Sequence, residues 1–331
     1  MPKPSKKLHE HILKVIKNYN PDASPMTIKI YCLNIEKIFR DLGGEEDNYD
    51  VDILKDHKKV FDMLDNQEIS MNTYKNKISS IISYLLASGV DVKHINPYSD
   101  KVDMLNSKID RVKAKMEWTD KEKDNLLSMD ELKEYLLFLK EKLPNSISSY
   151  SDLLSFQKYI CAEFHLLFPL RNDLSDAKIY DSEEYNKLEK DKNINYLVIN
   201  KKDKTIKVYI NNYKTEKANG VIEFEIKENK ENKENKDLVD NFIKYYDALP
   251  KIFKEGKFEH WLLFHKSGKK LTRNDFTKFL NNIFDSTGKK ISSSLIRKIV
   301  LSNLYPVEKM KTMSKIMGHS ISTAVKDYVK S

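Results

Sequence analysis

The chain has 331 residues, more than one hydrophobic core usually organises, so two domains are expected before any motif is read. Its 58 lysines and arginines against 50 acidic residues leave a net charge of +8, a surplus that suits a polyanionic partner such as nucleic acid. Only two cysteines occur, Cys32 and Cys161, far apart and without Cys or His neighbours at ligand spacing. That argues against a disulfide scaffold, a zinc site and a redox motif, and for a reducing, intracellular setting.

The opening Met1 to Lys7 is basic but has no apolar stretch behind it, so it reads as a flexible arm rather than a secretory signal. Leu8, Ile12 and Val15 then begin a helical pattern. A second runs through Ile28, Tyr31, Ile35, Ile38 and Leu42, entered at Ser24-Pro25 and stopped at Gly43-Gly44. A weaker helix is predicted from Ile53 to Leu64, and a fourth carries Tyr74, Ile78, Ile81 and Leu85 on one face before Gly89. Four such helices make a small bundle. From Asn96-Pro97 to about Leu127 the chain turns polar, with Lys108, Arg111, Lys113 and Lys115 close together, and is expected to connect two domains.

Beyond it, Ser128 and Glu131 have the spacing of a capping box ahead of Leu132, Leu136 and Leu139, and a further helix covers Asp152 to Leu167. The longest apolar run, Ile160 to Leu170, is broken by Glu163, His165 and Pro169, well short of the roughly 20 residues that span a bilayer. A soluble protein is expected. Three period-two runs follow, Tyr196 to Ile199, Ile206 to Ile210 and Ile222 to Ile226, predicting an antiparallel meander of three strands. The tripeptide Lys-Glu-Asn repeats from Lys227 to Asn235 with nothing apolar to bury and reads as a solvated loop or helix start. Helical patterns resume at Leu238, with interruptions predicted at Pro250, Ser267-Gly268 and Pro306.

Four segments of this second half carry side chains suited to phosphate chemistry. In Pro169-Leu170-Arg171-Asn172-Asp173-Leu174-Ser175-Asp176 a guanidinium follows an apolar helix end. Alone, Arg171 reads most simply as a structural ion pair with Asp173 or Asp176, although a guanidinium there can also clamp a phosphate. Lys214 sits in the turn Asn212 to Gly220 between two predicted strands, Arg297 follows the run Ser292-Ser293-Ser294 that opens a helix, and Met317-Gly318-His319-Ser320 precedes Tyr328 by one short helix. Each taken singly has a bland reading: a solvated lysine, a satisfied histidine, a packing tyrosine.

In order, however, Arg171, Lys214, Arg297, His319 and Tyr328 resemble the constellation of the tyrosine recombinase, or phage-type integrase, family. The wording Pro-Leu-Arg-Asn-Asp-Leu, Tyr-Lys-Thr-x-Lys and Met-Gly-His-Ser is most similar to integrases of large DNA viruses and their satellite viruses. The resemblance covers about Ser128 to Ser331 by motif; the N-terminal half is similar in size and helical pattern only. It implies a mainly α fold with a small antiparallel β-sheet in an α+β catalytic domain, behind an N-terminal all-α helical bundle. The corresponding division is residues 1–100 as a DNA-binding domain, 101–127 as a charged linker and 128–331 as the catalytic domain.

The resemblance further implies a site-specific recombinase or integrase that joins itself to a DNA 3′ phosphate through Tyr328. Arg171, Arg297 and His319 would surround the phosphate and Lys214 would stand near the leaving oxygen, with no metal, cofactor or small-molecule substrate. The implied partner is double-stranded DNA, bound by a homo-oligomer, a tetramer, in the cytoplasm or nucleus of a host cell. Two departures stand out. Ser294 occupies the position three before Arg297 where the family has His or Lys, so either Lys298 or a water takes over as proton acceptor or the enzyme is slowed, and only three residues follow Tyr328. Alternatives are a type IB topoisomerase-like enzyme and a catalytically impaired DNA-binding member of the fold.

Overall fold

The structure, a computed structural model, describes residues 6–44, 50–228, 233–253, 259–304 and 307–330. The expected arm as far as Ser5, the middle of the Lys-Glu-Asn repeat and Pro306 lie outside the described residues. The chain forms two compact units, Met1–Lys115 and Met116–Ser331.

The first unit is all helical: α1 (Lys6–Tyr19), α2 (Pro25–Asp41), α3 (His57–Asp65), α4 (Met71–Ala87) and α5 (Val92–Ala114). Side-chain oxygens begin most of them. Ser24 accepts from the Thr27 amide ahead of Pro25, Asp56 from that of Lys59, and Ser70 from that of Thr73. Because Asp56 caps α3, the helix predicted from Ile53 splits into a 3-10 turn at Val51–Leu54 and α3 proper. Ile12, Ile35, Ile78, Ile81 and Tyr98 are fully buried in one core, where the Tyr98 hydroxyl donates to the Leu54 carbonyl at 2.6 Å. The polar stretch after Asn96 is helical, since Ile95, Tyr98, Leu105 and Ile109 keep one buried stripe along α5 while its charges face water.

The second unit starts with α6 (Asp120–Asn125) and α7 (Met129–Glu141), the latter opened by the expected Ser128/Glu131 capping box. Helix α8 (Tyr150–Leu167) buries Leu153, Phe156, Ile160 and Phe164 in the main core. The sheet follows: β1 (Lys178–Asp181), α9 (Ser182–Lys187), β2 (Tyr196–Asn200), β3 (Thr205–Ile210), α10 (Glu216–Asn219) and β4 (Ile222–Lys227), in spatial order β1-β2-β3-β4. The three predicted strands pair antiparallel, with Leu197 opposite Val208 and Val208 opposite Phe224. The sheet is not wholly antiparallel, because the unpredicted β1 adds a fourth strand parallel to β2, reached through α9. Helix α11 (Lys233–Ile252) runs through Pro250, which falls in its last turn rather than interrupting it.

Four further helices, α12 (Arg273–Ile283), α13 (Ser293–Ser302), α14 (Val307–Ile316) and α15 (Ile321–Tyr328), complete a mainly α unit with a small sheet. No described helix is long and apolar enough to cross a membrane.

Candidate active site

Arg171 leaves the end of α8 between two anchors, Leu170 and Leu174, each 2% exposed. Its neighbour Asn172 is a three-way tie: its amide nitrogen donates to the Arg273 carbonyl at 2.9 Å and to Thr277 Oγ1 at 3.0 Å, while its oxygen accepts from Ser293 Oγ at 2.6 Å. One side chain thereby fixes the starts of α12 and α13 to the Arg171 segment. Ser292 caps α13, accepting from the Leu295 amide, and the first turns carry Arg297 into the interior, 6% exposed.

Helix α15 returns along α13, where Leu301, Met317, Ala324 and Tyr328 form a cluster of their own. There the Tyr328 hydroxyl accepts from Arg297 Nη2 at 3.2 Å and lies 3.5 Å from Arg171 Nη2. The Arg297 guanidinium carbon also lies 4.8 Å from the centre of the Tyr328 ring. Arg171 Nη1 reaches toward the Met317 carbonyl at 3.5 Å. Arg297 Nε and Nη1 are buried with no hydrogen-bond partner among the described residues. Burial and the neighbouring Arg171 push the Arg297 pKa down, opposed by Tyr328 and Asp173, but a guanidinium starts so high that it stays charged.

Gly318 has φ +64, a conformation glycine adopts without strain, and turns the chain so that His319 stacks on Tyr328, with centroids 5.3 Å apart and planes at 21°. His319 Nδ1 lies 3.1 Å from the Ser320 carbonyl, which can only accept, so Nδ1 carries the proton and Nε2, buried and unpartnered, presents a lone pair in the neutral ring. Burial first, then Arg171 and Arg297, lower the His319 pKa against the pull of the Ser320 carbonyl and Asp327.

Four of the five residues singled out in the sequence, Arg171, Arg297, His319 and Tyr328, are therefore in contact. Lys214 is not: it is exposed and has no hydrogen-bond or ion-pair partner among the described residues. Its turn is nonetheless tied to the cluster from both sides. Downstream, Thr215 Oγ1 and Asn219 Nδ2 each donate to the Gly318 carbonyl at 3.0 Å, and the Tyr213 ring packs over Gly318. Upstream, buried Asn195 accepts from the Asn212 amide at 2.8 Å, and its own Nδ2 donates to the carbonyls of Asn212 and Asp173.

The simple pairing of Arg171 with Asp173 or Asp176 is absent among the described residues. Asp173, 5% exposed, faces Arg273 Nη2 at 3.8 Å instead. Burial raises the Asp173 pKa, while Arg273, Arg171 and Arg297 pull it back. Ser294 is exposed, and the serine that faces inward is Ser293. Lys298 is ion-paired with Glu122 of α6, which leaves it ill placed to take a proton. Asn172, Asn195 and Arg273 were not singled out in the sequence; their partners lie 17 to 121 residues away, and no local pattern marks them.

Chemically, two guanidiniums and an imidazole surround one phenol, leaving buried N–H groups free for an oxyanion beside it. No group of three or more His, Cys, Asp or Glu that could hold a metal occurs among the described residues. No family model matches the chain, and no curated protein does. Among solved structures, XerA recombinase is similar at 12% identity, covering 97% of this chain and 94% of that one, with a TM-score of 0.40. XerH site-specific recombinase bound to difH substrate, a pre-cleavage complex, is similar at 13% identity over 98% of this chain and 94% of its own, TM-score 0.42. Its post-cleavage complex on a palindromic difH substrate gives 11%, 98%, 93% and 0.43. Values this low transfer no role to any residue.

Proposed function

We propose that the chain is a site-specific DNA recombinase that cleaves and rejoins strands through Tyr328. The observation that carries this reading is the convergence of the Arg171 and Arg297 guanidiniums on the Tyr328 hydroxyl, with Arg297 buried and still holding unmet donors. A DNA phosphodiester beside that hydroxyl supplies the missing acceptors, and the charge it gains during attack falls where the cations already stand.

The Tyr328 oxygen forms a bond to phosphorus as its proton passes to an acceptor. The bond to the 5′ oxygen breaks, and that oxygen takes a proton from Lys214. The 3′ phosphate stays on Tyr328 until a 5′ hydroxyl of a partner strand attacks, releases the phenol and restores a phosphodiester. Exchange between two duplexes calls for four sites, hence a tetramer on DNA, with the helical N-terminal unit gripping the duplex. Integration by a virus-encoded enzyme is the finer reading that the motif wording supports.

The test is a pool of nicked duplexes randomised around the nick, incubated with the full chain and resolved under denaturing conditions. Wild type is expected to form a covalent adduct mapping to Tyr328 by mass spectrometry. Tyr328→Phe is expected to bind DNA and form none, and an undiminished adduct in that variant refutes the assignment. A second reading, a DNA-binding protein of this fold without catalysis, is favoured by exposed Ser294 and ion-paired Lys298. It predicts salt-sensitive binding and no adduct from wild type.

A further inference from the structure

The chain has 58 basic residues and only five arginines, Arg40, Arg111, Arg171, Arg273 and Arg297. Within 116–331 the arginines are Arg171, Arg273 and Arg297, so where lysine supplies nearly all positive charge, the third arginine also stands beside the phenol-centred cluster. Arg273 opens α12 with its side chain 41% exposed. Nη2 donates to the Asn212 carbonyl at 2.9 Å, lies 3.4 Å from Asn212 Oδ1, and faces Asp173 Oδ1 at 3.8 Å. Its own carbonyl accepts from Asn172, the residue after Arg171. Arg273 thus bridges the Asn172 and Asp173 side chains of the Arg171 segment and the backbone two residues before Lys214.

We infer that Arg273 is a positioning residue for Lys214: its guanidinium holds the Asn212 carbonyl against the Asp173 segment and so sets where the turn presents the Lys214 amine. Lys214 needs such help, because its long side chain has no partner of its own and an amine misplaced by about 1 Å transfers a proton poorly. The clamp through Thr215 and Asn219 fixes the downstream side of the turn, and on the upstream side Arg273 shares the Asn212 carbonyl with Asn195. A guanidinium suits the task, since it can serve a carbonyl and a carboxylate at once in one plane.

This inference rests on Lys214 as the proton donor to the leaving 5′ oxygen, and the experiment separates the two. The duplex recovered from the randomised pool is made in two forms, with an ordinary 5′ oxygen or with 5′ bridging sulfur at the cleaved linkage. When Tyr328 attacks the sulfur form, the P–S bond breaks and the sulfur departs as thiolate, needing no proton because thiols ionise near pH 8.5. Arg273→Ala is expected to slow single-turnover adduct formation at least about 10-fold on the oxygen form, part of the roughly 10²- to 10⁴-fold that general acids contribute. It should run close to wild type on the sulfur form, as should Lys214→Ala.

The double variant Asp173→Asn with Arg273→Ala removes the carboxylate left unpaired and should show the same pattern. A wild-type rate for Arg273→Ala on the oxygen form, or an equal loss on both forms in single and double variants, overturns the inference. Equal losses for Lys214→Ala on both forms remove Lys214 as acid and the inference with it. Absence of any wild-type adduct sinks the Tyr328 reading itself.

Discussion

Gly318→Ala tests whether the turn before His319 is as tightly determined as the contacts around it imply. A Cβ at this position would stand 2.6 Å from Tyr213 Cε2 and 2.8 Å from Ile222 Cδ1, inside any real carbon contact. Neither neighbour yields easily: Tyr213 is 6% exposed with its hydroxyl donating to the Gly220 carbonyl at 2.7 Å, and Ile222 is buried at the start of β4. The φ of +64 adds about 1–2 kcal/mol for a residue with a side chain. Overpacking adds about 1–3 kcal/mol, so a turn that keeps its place loses about 2–5 kcal/mol.

If the turn shifts instead, the strain falls but the Gly318 carbonyl leaves Thr215 and Asn219, and His319 leaves the Tyr328 ring. A displacement of about 1 Å then costs about 10²-fold in adduct formation. Urea unfolding read beside single-turnover cleavage follows both routes. A variant within about 0.5 kcal/mol of wild type that also cleaves at the wild-type rate refutes the reasoning.

Burial also sets opposing pH dependences on α8. Glu163 is pushed up to about 7 by burial, so as pH rises from 4.5 to 7 the unfolded chain sheds a proton that the folded chain keeps, and stability falls by about 3 kcal/mol. His165 is pushed down to about 4 by burial, so stability falls in the other direction, as pH drops from 6.5 to 4, by a similar amount. The two slopes offset each other between about pH 4.5 and 6.5. Glu163→Gln should therefore gain on wild type as pH rises through 4.5 to 7 in urea titrations, and a pH-independent difference contradicts the burial account. Lys298→Met should cost about 1–2 kcal/mol by leaving the half-buried Glu122 unpaired, yet change adduct formation less than about 3-fold. A loss of 10²-fold or more would make Lys298 the proton acceptor after all.

The features legible in the sequence are those written locally. Ser24, Ser128 and Ser292 announce helix starts because a hydroxyl caps the amide three residues on, and period-two runs announce β2, β3 and β4. β1 escaped notice because Lys178–Asp181 is four residues long with two adjacent buried positions, and its parallel partner lies beyond α9. Adjacency alone pairs Arg171 with Asp173 or Asp176, but the neighbour of Asp173 is Arg273, 100 residues later. Lys214 is visible by its place in a hairpin turn, whereas the residues that tie down that turn, Asn195 and Arg273, act largely through backbone amide and carbonyl groups that almost any residue could supply.

Arg297 shows why the cluster favours an oxyanion over a resting ion pair. A carboxylate within ion-pair distance would satisfy the guanidinium and compete with any phosphate. Asp173, the buried acid that pulls on Arg297, is drawn toward Arg273, and burial raises its pKa. Arg297 is left with a phenol oxygen, a ring face and two unmet donors, a combination that is costly in the folded chain by itself. Folding of the cores around it sustains that cost, and a phosphodiester placed beside Tyr328 relieves it most when its nonbridging oxygens carry the extra charge of attack. His319 shifts in the same direction: burial first, then Arg171 and Arg297, lower its pKa in the free protein, and the arginines' share is offset once an anion arrives, which favours a proton on Nε2 facing the charge.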